Sequence, residues 1–230
     1  DDSDLMQKIA AENNLSETAF VDLNKKSIRW FSPTCEVNLC GHATLASAYA
    51  YFNILKNDTA SITLNSASGE LKVNNAEDYL ELDFPKDKYN KVDRVKRVEE
   101  ATGTKPIETY LGDINLFAVY EHENNIRSIK PNFNLVSQLD GQGLIISSTS
   151  ESYDFVSRYF CPKYGINEDP VTGSAHTTLI PYWSDRLNKD KLIAKQISTR
   201  GGELYCTNLK DRVLIGGHAV LYMKGTIEVD

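Results

Sequence analysis

The side chains best suited to chemistry lie in three short stretches: "NLSETAFVD" (Asn14 to Asp22), "CGHAT" (Cys40 to Thr44) and "NEDPVTGSAH" (Asn167 to His176). The first reads as a strand in which Leu15, Ala19 and Val21 alternate towards an apolar core, and Glu17 falls on that same face. A carboxylate among inward-facing aliphatics is costly when ionised and unpartnered, so either the register is off by a residue or a site uses that carboxyl group. The other two stretches each enter a helix through a glycine, Gly41 and Gly173. Glycine there lets the backbone approach a ligand closely, and the free N–H groups of a first helical turn attract an anion. One such entry is an ordinary helix cap. Two that face each other across a cleft would grip a small carboxylate. Asp169 stands beside the second entry, ahead of Pro170, where it equally suits a plain turn, and Ser174 equally suits a capping hydroxyl.

Elements must carry these residues. A helix is expected from Leu5 to Glu12, with Asp2, Ser3 and Asp4 as candidate N-caps. A strand follows from Lys25 to Pro33, with Ile28 and Trp30 on one face. The stretch Ala43 to Leu55 is apolar almost all round, the mark of a helix buried on most sides. A hairpin from Ile62 to Asn74, turning at Ser66 to Gly69, and a strand from Tyr79 to Pro85 complete the first half. The charged, aperiodic segment Lys86 to Asn90 is the expected linker, dividing 1–85 from 86–230. The second half repeats the plan. It has a helix from Val95 to Thr102 stopped by Gly103, then strands near Asn115 to Glu121, Gly143 to Thr149 and Tyr153 to Phe160. A buried helix from Ala175 to Leu187 follows, then strands near Gln196 to Thr199, Glu203 to Thr207, Arg212 to Gly216 and Ala219 to Tyr222. Each half therefore reads as strands around one buried helix, an α+β fold with two similar domains.

Composition narrows the function. The 230 residues are 41% hydrophobic and 25% charged, ordinary for a globular protein. A net charge of −7 and a pI near 5.2 argue against nucleic acid or anionic lipid as a partner. The most basic stretch, "KDKYNKVDRVKR" (Lys86 to Arg97), is diluted by aspartates and reads as solvated linker. Cys35, Cys40, Cys161 and Cys206 are scattered, as expected of reduced thiols in a cytoplasmic protein. No run is long enough for a membrane span and no signal peptide is read at the head of the chain. There is no G-x-S-x-G elbow, no phosphate loop and no G-x-G-x-x-G fingerprint. His42, His122, His176 and His218 lack metal-ligand spacing, so neither a metal nor a cofactor is expected.

In order along the chain, "NLSETAFV", "RWFSPTCEVNLCGHATLASAY", "LELDFP", "EDPVTGSAHTTLIPYW" and "QISTRGGEL" resemble the phenazine-biosynthesis-like (PhzF-like) isomerases, which share the diaminopimelate epimerase fold. The resemblance implies two domains, each a barrel-like sheet wrapped around a central helix, with the last strand returning to the first domain. It implies an active site in the cleft between them and a homodimer. It also implies a strand and a G-N-P-A-type segment upstream of Asp1, so the first domain is expected to lack its first strands. By the same resemblance Glu17 is the catalytic acid/base, while His42, Asp169 and Ser174 position substrate and handle protons. Gly41 and Gly173 match backbone positions that contact the substrate carboxylate. The implied reaction is a cofactor-independent proton shift on a small carboxylate-bearing metabolite. Two alternatives stand beside it: an amino-acid racemase or epimerase, and a non-catalytic small-molecule-binding protein. Cys40 lies where the related epimerases place one of two catalytic thiols. No cysteine stands near Gly173, which disfavours a two-thiol mechanism. The structural alternative for Glu17 is an ion pair with an arginine such as Arg29.

Overall fold

A computed structural model describes residues 2–76 and 78–229. Asp2 caps the first helix, α1 (Ser3–Asn13), by accepting from the N–H groups of Asp4 and Leu5, and Asn14 closes it in the left-handed conformation. The reading of the first strand is corrected: β1 covers only Thr18–Asp22, because its partner β2 stops at Phe31, opposite Thr18. Leu15 and Val21 are exposed instead of facing inward, at 62% and 37%, and Glu17 stands in the connection just ahead of the strand.

The first half continues with β2 (Ser27–Phe31), β3 (Glu36–Val37), α2 (Gly41–Tyr49), β4 (Ser61–Ser66), β5 (Gly69–Asn75) and β6 (Leu80–Pro85). Ile28 and Trp30 on β2 are buried, as their alternation requires. Beyond Tyr49 the helix widens into a π-helical turn, Ala50–Ile54. The second half runs through β7 (Tyr89–Lys91), α3 (Val95–Thr102), β8 (Glu108–Gly112), β9 (Leu116–Val119), α4 (Glu123–Ser128), α5 (Phe133–Val136), β10 (Leu144–Thr149), β11 (Phe155–Phe160) and β12 (Glu168–Asp169). It ends with α6 (Gly173–Leu187), β13 (Lys191–Gln196), β14 (Gly202–Asn208) and β15 (Arg212–Gly217). The sequence reading missed β3, β7, β8, β12, α4 and α5, and β7 begins inside the segment read as a linker.

Two further expectations are corrected. Gln196 ends β13 instead of opening a strand, because Leu192, Ala194 and Gln196 form the inward-facing alternation. Ala219 to Tyr222 forms no strand: β15 stops at Gly217, and Val220 and Tyr222 are exposed.

Among the described residues the strands join into one mixed sheet. Its path is β1-β2-β4-β5-β6-β15-β14-β13-β11-β10-β9-β8-β7, with β3 on β2 and β12 on β11. The seam lies between β6 and β15, antiparallel from Arg212↔Pro85 to Gly217↔Leu80. The sheet coils around two helices, α2 packing on β5 and β6 and α6 on β13, β14 and β15. Both helices contribute to one apolar core that includes Leu45, Ala48, Phe84, Leu179, Trp183 and Ile215, and a second core lies under α3 and α5.

The Lys86 to Asn90 connection is tied to α6 by a backbone feature of that helix. Pro181 lies inside α6 and has no N–H to offer the Thr177 carbonyl one turn earlier. The Asp87 N–H takes that acceptor at 3.3 Å, and Thr178 Oγ1 donates to Asp87 Oδ2 at 2.6 Å.

The first residues of α2 and α6 meet backbone to backbone. A Cβ added at Gly41 would stand 3.0 Å from Gly173 Cα, and one at Gly173 would stand 3.1 Å from Gly41 Cα. Neither neighbour is a side chain that can swing away. Gly41→Ala is therefore expected to cost about 1–3 kcal/mol of stability by urea denaturation, as overpacking does; a stability equal to that of the wild type would show that the two helix starts separate freely.

Candidate active site

Glu17, Cys40, Gly41, His42, Asp169, Gly173 and Ser174 all line one cavity of about 550 Å³. All seven of these residues were singled out in the sequence and are thus brought together, although 157 positions of chain separate the first from the last. The local folding explains how. Cys40 enters α2 in an extended conformation and Thr44 Oγ1 donates back to its carbonyl at 2.6 Å, closing the first turn. Thr172 enters α6 in the same manner. Neither start has a side-chain cap hydrogen bond, so first-turn N–H groups are left for a ligand.

His42 turns from α2 towards the other half. Its Nδ1 donates to the Val171 carbonyl at 3.1 Å, which leaves Nε2 facing Glu17 Oε2 at 3.2 Å and Ser16 Oγ at 3.5 Å. Burial disfavours the imidazolium, and the neighbouring Cys40 sulfur, Glu17 and Asp169 favour it, with His42 held above its ordinary value to the extent that these neighbours are ionised. Glu17 itself is mostly buried, and its Oε2 has no aligned hydrogen-bond donor. The structural alternative for Glu17 fails: Arg29 is engaged by Glu36 through contacts of 2.7 and 2.8 Å and by Ser3 Oγ at 2.9 Å.

Asp169 is 5% exposed and sits in a net of buried polar groups. Thr172 Oγ1 donates to its Oδ2. Gln196 Nε2 donates to the Asp169 carbonyl at 2.7 Å, while Gln196 Oε1 accepts from the Thr172 N–H at 2.8 Å. Asp169 Oδ1 is buried without a partner. Burial pushes the Asp169 carboxyl up to about 6; His42 pulls it down, Glu17 pushes it further up and the Thr172 hydroxyl opposes.

Sequence reasoning missed several lining groups, among them Tyr159, Cys161, Asp113 and Gln142. Tyr159 Oη is fixed by donation to Asn115 Oδ1 at 2.8 Å. Burial pushes the thiols of Cys40 and Cys161 up, so both stay protonated at neutral pH. The spacing of the histidines gave no hint of a cluster, yet the fold sets Glu17, Cys40 and His42 with one donor atom each within 4.8 Å of one another.

A family model described as phenazine biosynthesis-like protein (PhzC-PhzF) matches residues 1–225. The chain belongs to the PhzF family. An uncharacterized isomerase of Pseudomonas aeruginosa is 45% identical over 228 residues, covering 98% of this chain and 87% of that relative. A PhzF-family crystal structure from Enterococcus faecalis is 47% identical, covers 98% of this chain and 88% of that one, and superposes with a TM-score of 0.93. A hydroxyproline epimerase structure from Agrobacterium vitis shares only 10% identity yet reaches a TM-score of 0.56, covering 90% of this chain and 72% of that one. The α+β fold of this PhzF-family chain is thus shared with distant epimerases.

Asp169 should be read out by pH. Its folded value, about 6, lies above the unfolded 3.8, so its contribution to stability is fully present below pH 3.8 and is lost as pH rises through about 6. Asp169→Asn removes the buried charge. The variant is expected to exceed wild-type stability by up to about 3 kcal/mol at pH 8 and to show no such gain at pH 4. Equal gains at both pH values, measured by denaturant unfolding, would show that Asp169 is not held near neutrality.

Proposed function

We propose that this PhzF-family chain is a cofactor-independent isomerase that moves a proton between carbons of a small carboxylate-bearing metabolite. Glu17 takes the proton from a carbon acidified by conjugation to a carboxylate or an unsaturated bond and returns it elsewhere on the same molecule. The N–H groups at Gly41 and Gly173 hold the substrate carboxylate and stabilise the delocalised anion. His42 fixes Glu17 from one side, while Asp169 and Ser174 orient the substrate and pass protons from the other. The observation that carries the reading is the placement of Glu17 Oε2 3.2 Å from His42 Nε2, inside a cavity onto which both helix starts open. On the resemblance alone, the reading includes a homodimer in the cytoplasm. No described helix is long and apolar enough to cross a membrane.

The racemase alternative with a thiol base is less well supported. Cys40 and Cys161 line the cavity, but burial keeps both as thiols, and a base must be a thiolate. An acid/base carboxyl held against a histidine speaks against a purely binding protein, which would not need proton-transfer groups.

Deuterium uptake from heavy water into a panel of small amino, hydroxy and unsaturated carboxylic acids tests the proposal. Wild type is expected to catalyse exchange, and Glu17→Gln, nearly isosteric, to lose about 10²- to 10⁴-fold of it with its thermal midpoint unchanged. Exchange at wild-type rate in the variant would remove Glu17 from the mechanism. A fall in stability matching the fall in exchange would assign it a structural role.

A further inference from the structure

We propose that the Glu17–Cys40–His42 corner of the cavity binds a thiolate-seeking divalent transition-metal ion, Zn²⁺ foremost, as an inhibitor and not as a cofactor. The donor set is a carboxylate oxygen, a sulfur and an imidazole nitrogen, all within 4.8 Å of one another. Zinc bonds of about 2.0–2.3 Å in a tetrahedron place neighbouring donors roughly 3.3–3.7 Å apart. Glu17 Oε2 and His42 Nε2 already stand at 3.2 Å, while Cys40 Sγ stands 3.8 Å from Nδ1 and 4.0 Å from Nε2, so it must turn about its Cα–Cβ bond to bring the sulfur to the Nε2 side.

The surroundings favour a cation. His42 Nδ1 donates to the Val171 carbonyl, the outer hydrogen bond that fixes a ligating imidazole with its other nitrogen turned to a metal. Glu17 Oε2 is buried with no aligned donor, so a coordinate bond would satisfy it. Asp169, 5% exposed, lines the same cavity, and its buried Oδ1 has no hydrogen-bond partner. Glu17, Asp113 and Asp169 make the lining electronegative, and neither lysine nor arginine is among its described residues. Three protein ligands leave a fourth position open to water in the cavity. On loading, the Cys40 thiol and His42 Nε2 release their protons to solvent, and no atom changes oxidation state.

A cation held there occupies Glu17 and His42 together. That inhibition rests on the proton-shift reading; the binding site itself does not, and its test needs no substrate. The reduced, metal-free protein is titrated with Co²⁺ and followed by absorption. One equivalent is expected to bind, with a near-ultraviolet sulfur-to-cobalt charge-transfer band and the visible bands of a four-coordinate ion, and Zn²⁺ is expected to displace it. Cys40→Ser should abolish the charge-transfer band. Glu17→Gln, which keeps the thiol, should weaken binding by at least about a hundredfold, since loss of an outer partner alone costs 10- to 100-fold. Cys35→Ser, which removes the exposed thiol, should change nothing. A band that survives Cys40→Ser, a band lost in Cys35→Ser, undiminished affinity in folded Glu17→Gln, or a wild type that takes up no Co²⁺ would each overturn the proposal.

Discussion

The contact between Gly41 and Gly173 governs the structure. Two helix N-termini meet there with no side chain between them, and each brings the positive end of a helix dipole equivalent to roughly half an elementary charge. Such ends repel unless negative charge lies close to both. Glu17 and Asp169 line the cavity at the junction. The arrangement that turns two helix N-termini to one cavity is the same one that gathers the acidic side chains.

Holding two helices at that distance requires a frame. The β6–β15 seam supplies it, because the chain's last strand pairs with the final strand of the first half along six residue pairs. Arg212 reinforces the seam, its Nη2 donating to the Asp83 carbonyl at 2.9 Å while Nε meets Asp83 Oδ1 at 2.5 Å. The Asp87 attachment to α6 acts at the other side of the same helix. It depends on Pro181, whose missing N–H frees an acceptor in mid-helix for the connecting chain.

Much of this was legible in the sequence, for reasons that differ by residue. The paired glycine entries were visible because each breaks into a strongly apolar helical run. Glu17 attracted notice through an alternation that turned out to be misplaced: the partner strand ends opposite Thr18, so the residue matters by position in a connection and not by face of a strand. Gln196 was set in the wrong half of its strand, because its inward amide is polar and disguises the alternation of Leu192 and Ala194. The tail at Ala219 to Tyr222 is an apolar run of strand-forming residues that pairs with no described strand, which composition cannot reveal. The Glu17–Cys40–His42 cluster was invisible for the opposite reason, since proximity in space leaves no trace in spacing along the chain.

The chemistry of Asp169 follows from the stiffness of what surrounds it. Thr172 spends its hydroxyl on Asp169 and its N–H on Gln196, and His176, wholly buried, donates from Nδ1 to the Thr172 carbonyl at 2.7 Å. Burial lowers His176 to about 4, so it stays neutral and adds no countercharge. The hydroxyl and N–H of Thr172 are thereby committed, and Asp169 Oδ1 stays buried without a donor. A flexible loop would have let the carboxylate find solvent and return to its ordinary value. The fixed net instead keeps its ionisation costly, which is what allows an aspartate to carry a proton near neutral pH. The costly charge of Asp169 is thus a consequence of one packed turn at the start of α6.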